Sequence, residues 1–104
     1  MLSEAEFNEE VDEIFVTIED QLDNLELDLD IDTSGGLLNI TFENGSSLIF
    51  SRQSANRELW IAARSGGYHL SKSQDVWQTV DGQELVALVN QLFSEQLGDS
   101  VEVL

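Results

Sequence analysis

The stretch Leu25-Glu26-Leu27-Asp28-Leu29-Asp30-Ile31-Asp32 alternates strictly between apolar and acidic residues. A period of two is typical of a β-strand with one face on the core, so we expect its Leu and Ile side chains to be buried and its acids to share the other face. In the preceding segment 3–24, apolar residues instead recur at three- and four-residue steps, which indicates an amphipathic helix. The chain therefore changes from helix to strand near residue 25.

A second amphipathic segment predicts a helix over 82–97. Asp81 and Glu84 have the spacing of a capping box before it, as Ser3 and Glu6 have before the first helix. Gly98 is placed to end it. Its buried stripe is predicted to consist of Leu85, Leu88, Val89, Leu92, Phe93 and Gln96. For the tail 99–104 the sequence leaves two alternatives, a path across the gap between the helices or a mobile end.

Turn signals divide the middle of the chain into short strands. They are Ser34-Gly35-Gly36, Asn44-Gly45, which favours a type I′ turn, and Gly66-Gly67. The strands predicted around them lie at 37–43, 47–52, 58–64, 68–72 and 76–80. We therefore expect a single α+β domain over residues 1–104, a two-layer sandwich in which both terminal helices pack on one face of a five- to six-stranded antiparallel sheet. The other face of the sheet then meets solvent.

The composition excludes several classes of function. The chain has 104 residues, with 21 Asp and Glu against 4 Lys and Arg, for a net charge of −17. Nucleic acids and anionic membranes attract basic proteins, so neither is an expected partner. The absence of cysteine excludes disulfides and thiolate metal ligands. The N-terminus lacks the basic start and apolar core of a secretory signal, so we expect a cytoplasmic protein.

The sequence contains no pattern typical of an enzyme. His69 is its single histidine, and neither a G-x-S-x-G motif nor a phosphate-binding glycine loop is present. We therefore predict a binding protein that is not an enzyme. His69 is interpreted as a strand or surface residue rather than as a metal ligand.

Six carboxylates around the predicted helix-to-strand junction form the candidate metal site. Residues 1–51 contain no Lys or Arg that could be interleaved with them. Hard cations prefer carboxylate oxygens, and a bound cation relieves the repulsion between like charges. Binding is expected to be weak because exposed carboxylates lack a closed cage, and the alternative is an acidic face that is only solvated. The six residues are Glu19, Asp20, Asp23, Asp28, Asp30 and Asp32.

Trp60 is the candidate contact for a protein partner. If Leu59 and Ile61 face the core, Trp60 points outward, and tryptophan is enriched at interaction hot spots. Asn44 and Gln53 would then be its polar neighbours. The reverse parity would make Trp60 a core residue, and the alternation alone does not decide between the two.

Four motifs together resemble the frataxins, and their bacterial members in particular. They are Thr17-Ile18-Glu19-Asp20-Gln21-Leu22-Asp23, Ile40-Thr41-Phe42-Glu43-Asn44-Gly45, Leu59-Trp60-Ile61-Ala62 and Gly66-Gly67-Tyr68-His69. The motifs are individually short, but they occur in the family's order and the resemblance covers nearly the whole chain.

This resemblance implies an iron-binding protein of iron–sulfur cluster assembly with a frataxin-like sandwich. It implies weak binding of Fe²⁺ and Fe³⁺ at the six carboxylates above, where other divalent or trivalent cations would substitute. It also implies docking on the cysteine desulfurase and the scaffold machinery, which modulates cluster synthesis, with Asn44, Gln53 and Trp60 as contacts. The outward parity of Trp60 is thereby favoured. A monomer is expected, and oligomerisation around bound iron is left open.

Two other functions compete with this interpretation. An acidic module that mimics nucleic acid on a basic protein partner would show no preference for metal and no role for Trp60. A ferroxidase or iron-storage enzyme would need closed di-iron ligation such as Glu-x-x-His helices, and the sequence has no such motif.

Overall fold

The computed structural model describes residues 2–27 and 29–104. Six strands form one antiparallel sheet in the order β1-β2-β3-β4-β5-β6, so the predicted meander is confirmed with six strands. The α+β sandwich is also confirmed, because both helices share one core with one face of the sheet. The elements are α1 (Glu4–Asn24), β1 (Asp30–Ser34), β2 (Leu37–Thr41), β3 (Ser47–Gln53), β4 (Glu58–Ala63), β5 (Gly66–Ser73), β6 (Val76–Thr79) and α2 (Leu85–Leu97). No helix in the described ranges could span a membrane.

The core lies between the helices and the inward face of the sheet. Along the central strands every second side chain is buried, as a two-residue period requires. Each large apolar side chain removed from water contributes about 1.5–3 kcal/mol, so this layer is the main source of stability. Its sheet members include Leu38, Ile40, Leu48, Phe50, Leu59, Ile61 and Leu70. Its helix members include Phe7, Val11, Phe15, Ile18, Leu22, Leu85, Leu88, Val89, Leu92 and Phe93.

Helix α1 begins at the predicted capping box. The Glu6 backbone N–H donates to Ser3 Oγ at 3.1 Å, and the Ser3 N–H donates to Glu6 Oε1 at 3.0 Å. These bonds satisfy two backbone donors that the first helical turn would otherwise leave free. The bonds from Ser3 also lower the pKa of the Glu6 carboxyl, the backbone N–H having the larger effect.

The predicted strand over 25–32 is wrong over residues 25–27. Two backbone hydrogen bonds close the C-terminal end of α1. The Leu27 N–H donates to the Leu22 carbonyl at 3.2 Å, and the Glu26 N–H donates to the Asp23 carbonyl at 3.0 Å. This is the Schellman pattern, which uses residues 25–27 to end the helix. Strand β1 therefore begins only at Asp30.

The burial of this segment also differs from strict alternation. Leu25 and Ile31 were expected in the core, but both are 39% exposed. Leu27 and Leu29 pack partly against it. Leu25 caps the helix and Ile31 lies on an edge strand, so neither is enclosed on all sides. Asp28 lies outside the described residues.

The turn at Asn44-Gly45 is not of type I′. That turn requires positive φ at both central residues, whereas only Gly45 has it, at 86°. The Phe42 N–H donates to the Ser46 carbonyl at 2.8 Å, which closes a three-residue loop. Asn44 Oδ1 accepts bonds from the Ser46 N–H at 2.9 Å and from Ser46 Oγ at 2.6 Å. Asn44 thus stabilises its own turn.

The start of α2 was predicted wrongly. The helix begins at Leu85 rather than at residue 82, and its N-cap Glu84 makes no side-chain cap bond. Asp81 instead accepts bonds from the Thr79 hydroxyl and from Gln83 Nε2. The bond from Thr79 is the main cause that lowers the pKa of the Asp81 carboxyl. The helix ends as predicted, with Gly98 in the left-handed conformation.

The C-terminal tail lies across the gap between the helices, which resolves the two alternatives left by the sequence. Asn90 Oδ1 on α2 accepts bonds from the Val103 N–H at 2.6 Å and the Leu104 N–H at 2.9 Å. Gln21 on α1 donates to the Glu102 carbonyl at 3.4 Å. Val103 is 1% exposed and therefore belongs to the core.

Candidate functional site

One hydrogen bond joins the C-terminal half of α1 to the edge strand. Thr33 Oγ1 on β1 donates to Glu19 Oε1 at 3.1 Å. Thr33 pairs with the buried Leu38 of β2, so its side chain lies on the helix side of the sheet. The sequence placed Glu19 beside this strand, and the contact brings the two together. Asp20 and Asp23 follow on α1 as exposed side chains.

The carboxylates of β1 lie on the opposite face of the sheet from α1. Asp30 pairs with Thr41 and Asp32 with Asn39, both of which alternate with the buried residues of β2. Both aspartates are exposed, and their predicted common face is confirmed. We call the five described carboxylates the acidic edge. They are Glu19, Asp20, Asp23, Asp30 and Asp32.

The acidic edge is not a closed metal cage. Among residues 2–27 and 29–104, no three or more His, Asp or Glu side chains are grouped so that they could hold a metal ion. Asp30 and Asp32 lie on the face of β1 away from α1, whereas the helix member Glu19 is bonded to β1 through Thr33. Asp28, the sixth predicted ligand, lies outside the described residues.

Three of the four basic side chains, Arg52, Arg57 and Lys72, lie near the N-terminal half of α1. Arg52 contacts Asp12 at 2.6 Å, and Lys72 contacts Glu10 at 2.7 Å. These are the two ion pairs within the part of the chain that the structure describes. Arg57 donates to the Leu2 carbonyl at 3.2 Å, again near the start of α1.

The ion pair of Lys72 forms part of a small network. Glu10 Oε1 also accepts a bond from Trp77 Nε1 at 3.1 Å. The hydrogen bond to Glu10 raises the pKa of the Lys72 ammonium. Both ion pairs therefore neutralise acidic side chains in the N-terminal half of α1. Within residues 2–27 and 29–104, no ion pair involves a carboxylate of the acidic edge.

Trp60 lies on the outward face of the sheet. Its neighbours Leu59 and Ile61 are 0% and 1% exposed, so the parity that alternation left open is settled. The indole ring stacks on the imidazole of His69, with centroids 4.1 Å apart and planes 9° apart. Trp60 Nε1 donates to Glu58 Oε1 at 2.7 Å. These two contacts fix the orientation of the indole.

The three predicted partner contacts do not form one cluster. Trp60 is paired with Ser51 of β3, and Gln53 Nε2 donates to Ser51 Oγ at 3.0 Å, so Trp60 and Gln53 are near each other. Asn44 lies beyond the other end of β3. A strand rises about 3.3 Å per residue, which places Asn44 roughly 20 Å from Gln53.

His69 was interpreted correctly as a strand or surface residue, but sequence reasoning missed that His69 and Glu58 both contact Trp60. Both contact Trp60, one from the neighbouring strand and one from two positions earlier in β4. The two-residue period could have placed Glu58 beside Trp60. The partnership with His69 depends on the register between β4 and β5, which no local pattern specifies.

Comparison with known proteins gives a consistent result. Residues 1–99 match the family model described as a frataxin-like domain. The chain is 44% identical to the iron-sulfur cluster assembly protein CyaY of Pseudomonas aeruginosa, over 97% of this chain and 96% of the relative. It is 42% identical to the protein of the same name from Stutzerimonas stutzeri, over 97% and 94%. The solved structure of frataxin from Psychromonas ingrahamii superposes with a TM-score of 0.88 at 26% identity, over 99% of both chains.

Proposed function

The chain belongs to the frataxin family, and we propose that it acts in iron–sulfur cluster assembly as a non-enzymatic protein that binds iron weakly and docks on the cysteine desulfurase. The observation that carries the iron proposal is the distribution of charge along α1. Both ion pairs of the described residues lie at its N-terminal half, while Asp20 and Asp23 stay exposed near its end.

The acidic edge fits a weak and exchangeable ion. Its carboxylates are oxygen ligands of the kind that hard cations prefer. Because they are exposed and not preassembled, they must turn toward one another to share an ion, which lowers affinity. Fe²⁺ and Fe³⁺ are the proposed ions, and other divalent or trivalent cations should compete with them.

A titration with Fe²⁺ under anaerobic conditions, followed by backbone NMR, tests the iron proposal. We expect paramagnetic broadening that begins within residues 19–32. The double variant Asp20→Asn/Asp23→Asn should weaken it, whereas Glu9→Gln/Glu13→Gln removes the same charge from the earlier turns of α1 and should not. Broadening centred elsewhere, or equal in both variants, would contradict the proposal and favour a merely solvated face.

The partner proposal rests on the acidic edge and on the indole of Trp60, which is partly exposed on the outward face of the sheet. A surface of high negative charge steers a basic partner surface, and a packed aromatic side chain supplies a hot spot. We propose that the desulfurase contacts the acidic edge together with Trp60 and Gln53. Iron and the desulfurase would then compete for the same carboxylates.

Binding to the purified desulfurase at two salt concentrations tests the partner proposal separately. We expect affinity to fall as salt rises, and Trp60→Ala to weaken binding at least about tenfold. Val86→Ala, which trims an exposed apolar side chain on α2, is the matched control. Binding that is independent of salt, or indifferent to Trp60, would overturn this docking mode and leave the iron result untouched.

A further inference from the structure

A cleft of about 400 Å³ opens where the two helices end. It lies apart from the indole of Trp60, against the turn between β2 and β3. Four of its lining residues are apolar and partly or fully withdrawn from water, namely Leu27, Leu29, Phe42 and Leu97. The other four are polar, namely Glu26, Glu43, Asn44 and Gln96. The cleft thus combines apolar walls with two carboxylates.

The electrostatics of the cleft favour a cation. None of its lining residues is basic, and Glu26 and Glu43 both contribute negative charge. Neither α1 nor α2 carries a basic residue in its last turn, so both helix ends contribute uncompensated negative dipole charge. The basic Arg64 lies in a neighbouring depression with Glu95.

The backbone at Glu26 is unusual for the residue that occupies it. Its φ is 56°, at the position of a Schellman motif where glycine is normally found. A side chain at this position strains the backbone, and glycine would not. The chain therefore carries a carboxylate at the cleft at the expense of local stability.

We propose that this cleft receives a lysine or arginine side chain of a protein partner, presented next to an apolar residue. Only these two side chains join a cation to an aliphatic stem, which matches a cleft lined by both acidic and apolar residues. A free metal ion would gain nothing from the apolar lining, and an apolar segment alone would leave the negative charge uncompensated. This proposal stands without iron binding at the acidic edge.

Short peptides provide the test, with the ¹⁵N-labelled full chain observed by NMR. The probe is acetyl-Leu-Arg-Leu-amide. We expect saturable shifts at the backbone amides of Leu27, Leu29, Glu43 and Leu97. Glu43→Gln should weaken binding about 1.5- to 5-fold, the range of a single exposed ion pair. Glu9→Gln, which removes one charge from an exposed site on α1, should leave binding unchanged.

Three further probes separate this site from general attraction to an acidic protein. Acetyl-Gly-Arg-Gly-amide has the same charge but no apolar side chains, and acetyl-Leu-Gln-Leu-amide has no charge. Both should bind at least about threefold more weakly. Equal binding by either peptide, shifts confined to other residues, or no saturable shift would overturn the proposal. Butylguanidine binding as tightly as the probe would also overturn it, in favour of a site for free small cations.

Discussion

The indole of Trp60 and the imidazole of His69 stack across β4 and β5 with their centroids 4.1 Å apart. The two residues are direct partners in the antiparallel register, so the contact follows from strand pairing. His69 thereby covers one face of the indole, while Glu58 accepts a hydrogen bond from its N–H. A partner meets an ordered aromatic surface rather than a free rotor, which reduces the entropy lost on binding.

Replacing His69 should release this indole. His69→Ala is expected to lower the free energy of unfolding by about 0.5–1.5 kcal/mol, the range for aromatic pairs. The indole N–H resonance of Trp60 should shift, because the ring current of the imidazole is lost. Ser71→Ala, at an exposed position of the same strand, serves as the control. An unchanged resonance would show that the stack does not persist in solution.

The hydrogen bonds between Asn90 and the C-terminal tail should contribute strongly to the stability of the fold. Asn90→Ala removes the acceptor of two backbone bonds and the donor of a third, to the Leu104 carbonyl at 3.2 Å. Val103 would also lose its enclosure. We expect the free energy of unfolding, measured in urea, to fall by about 2–4 kcal/mol. Gln91→Ala, on the exposed side of α2, should change the free energy of unfolding little. Equal losses in both variants would contradict a specific role of the bonds between Asn90 and the tail.

Local signals predicted the first helix but not the start of the second. Ser3-x-x-Glu6 and Asp81-x-x-Glu84 have comparable spacing, yet only the first forms a capping box. At the second, Gly82 has a φ of 91°, and Glu84 is bridged to Gln78 of β6. The pairing of Glu84 with the end of β6 therefore keeps this turn out of the helix, and the capping-box spacing alone does not reveal it.

In the candidate site too, some features could be predicted from local sequence patterns and others could not. Alternation correctly predicted that Asp30 and Asp32 share one face, because a strand fixes this locally. The separation of Asn44 from Gln53 was also predictable, because the predicted strand 47–52 lies between them. The bond between Glu19 and Thr33, by contrast, depends on how α1 packs on β1. Such tertiary relations have no signature in a period of two or of 3.6.

The capping box of α1 should make stability depend on pH in the acidic range. The pKa of Glu6 is lowered from 4.5 in the folded state. Its contribution is therefore present above pH 4.5 and is lost as the pH falls through the folded value. Unfolding monitored between pH 3 and pH 6 should show a smaller pH dependence for Glu6→Gln than for the natural chain. Glu4→Gln, with an exposed carboxylate in the same turn, is the control, and identical curves for Glu6→Gln and the natural chain would contradict the assignment.

The negative charge of the acidic edge should reduce the stability of the fold. Asp23 lies in the last turn of α1, where negative charge opposes the helix dipole. Asp23→Asn is expected to raise the free energy of unfolding by about 0.3–1 kcal/mol at low salt. In about 1 M salt the gain should vanish, because screening shortens to about 3 Å. Glu9→Gln, near the opposite end of α1, should bring no gain, and a gain that persists in salt would point to a cause other than charge.

Glycine at position 26 should stabilise the fold and weaken the cleft. Glu26→Gly relieves a left-handed φ of 56°, and we expect a gain of about 0.5–1 kcal/mol in urea unfolding. Glu26→Ala removes the same carboxylate but keeps the strain, so it should bring little of that gain. Both variants should bind acetyl-Leu-Arg-Leu-amide more weakly than the natural chain, since both lack the charge. If both variants gain equally in stability, repulsion among the carboxylates rather than backbone strain governs this position. If glycine stabilises the chain and peptide binding is unchanged, the carboxylate of Glu26 does not take part in the cleft.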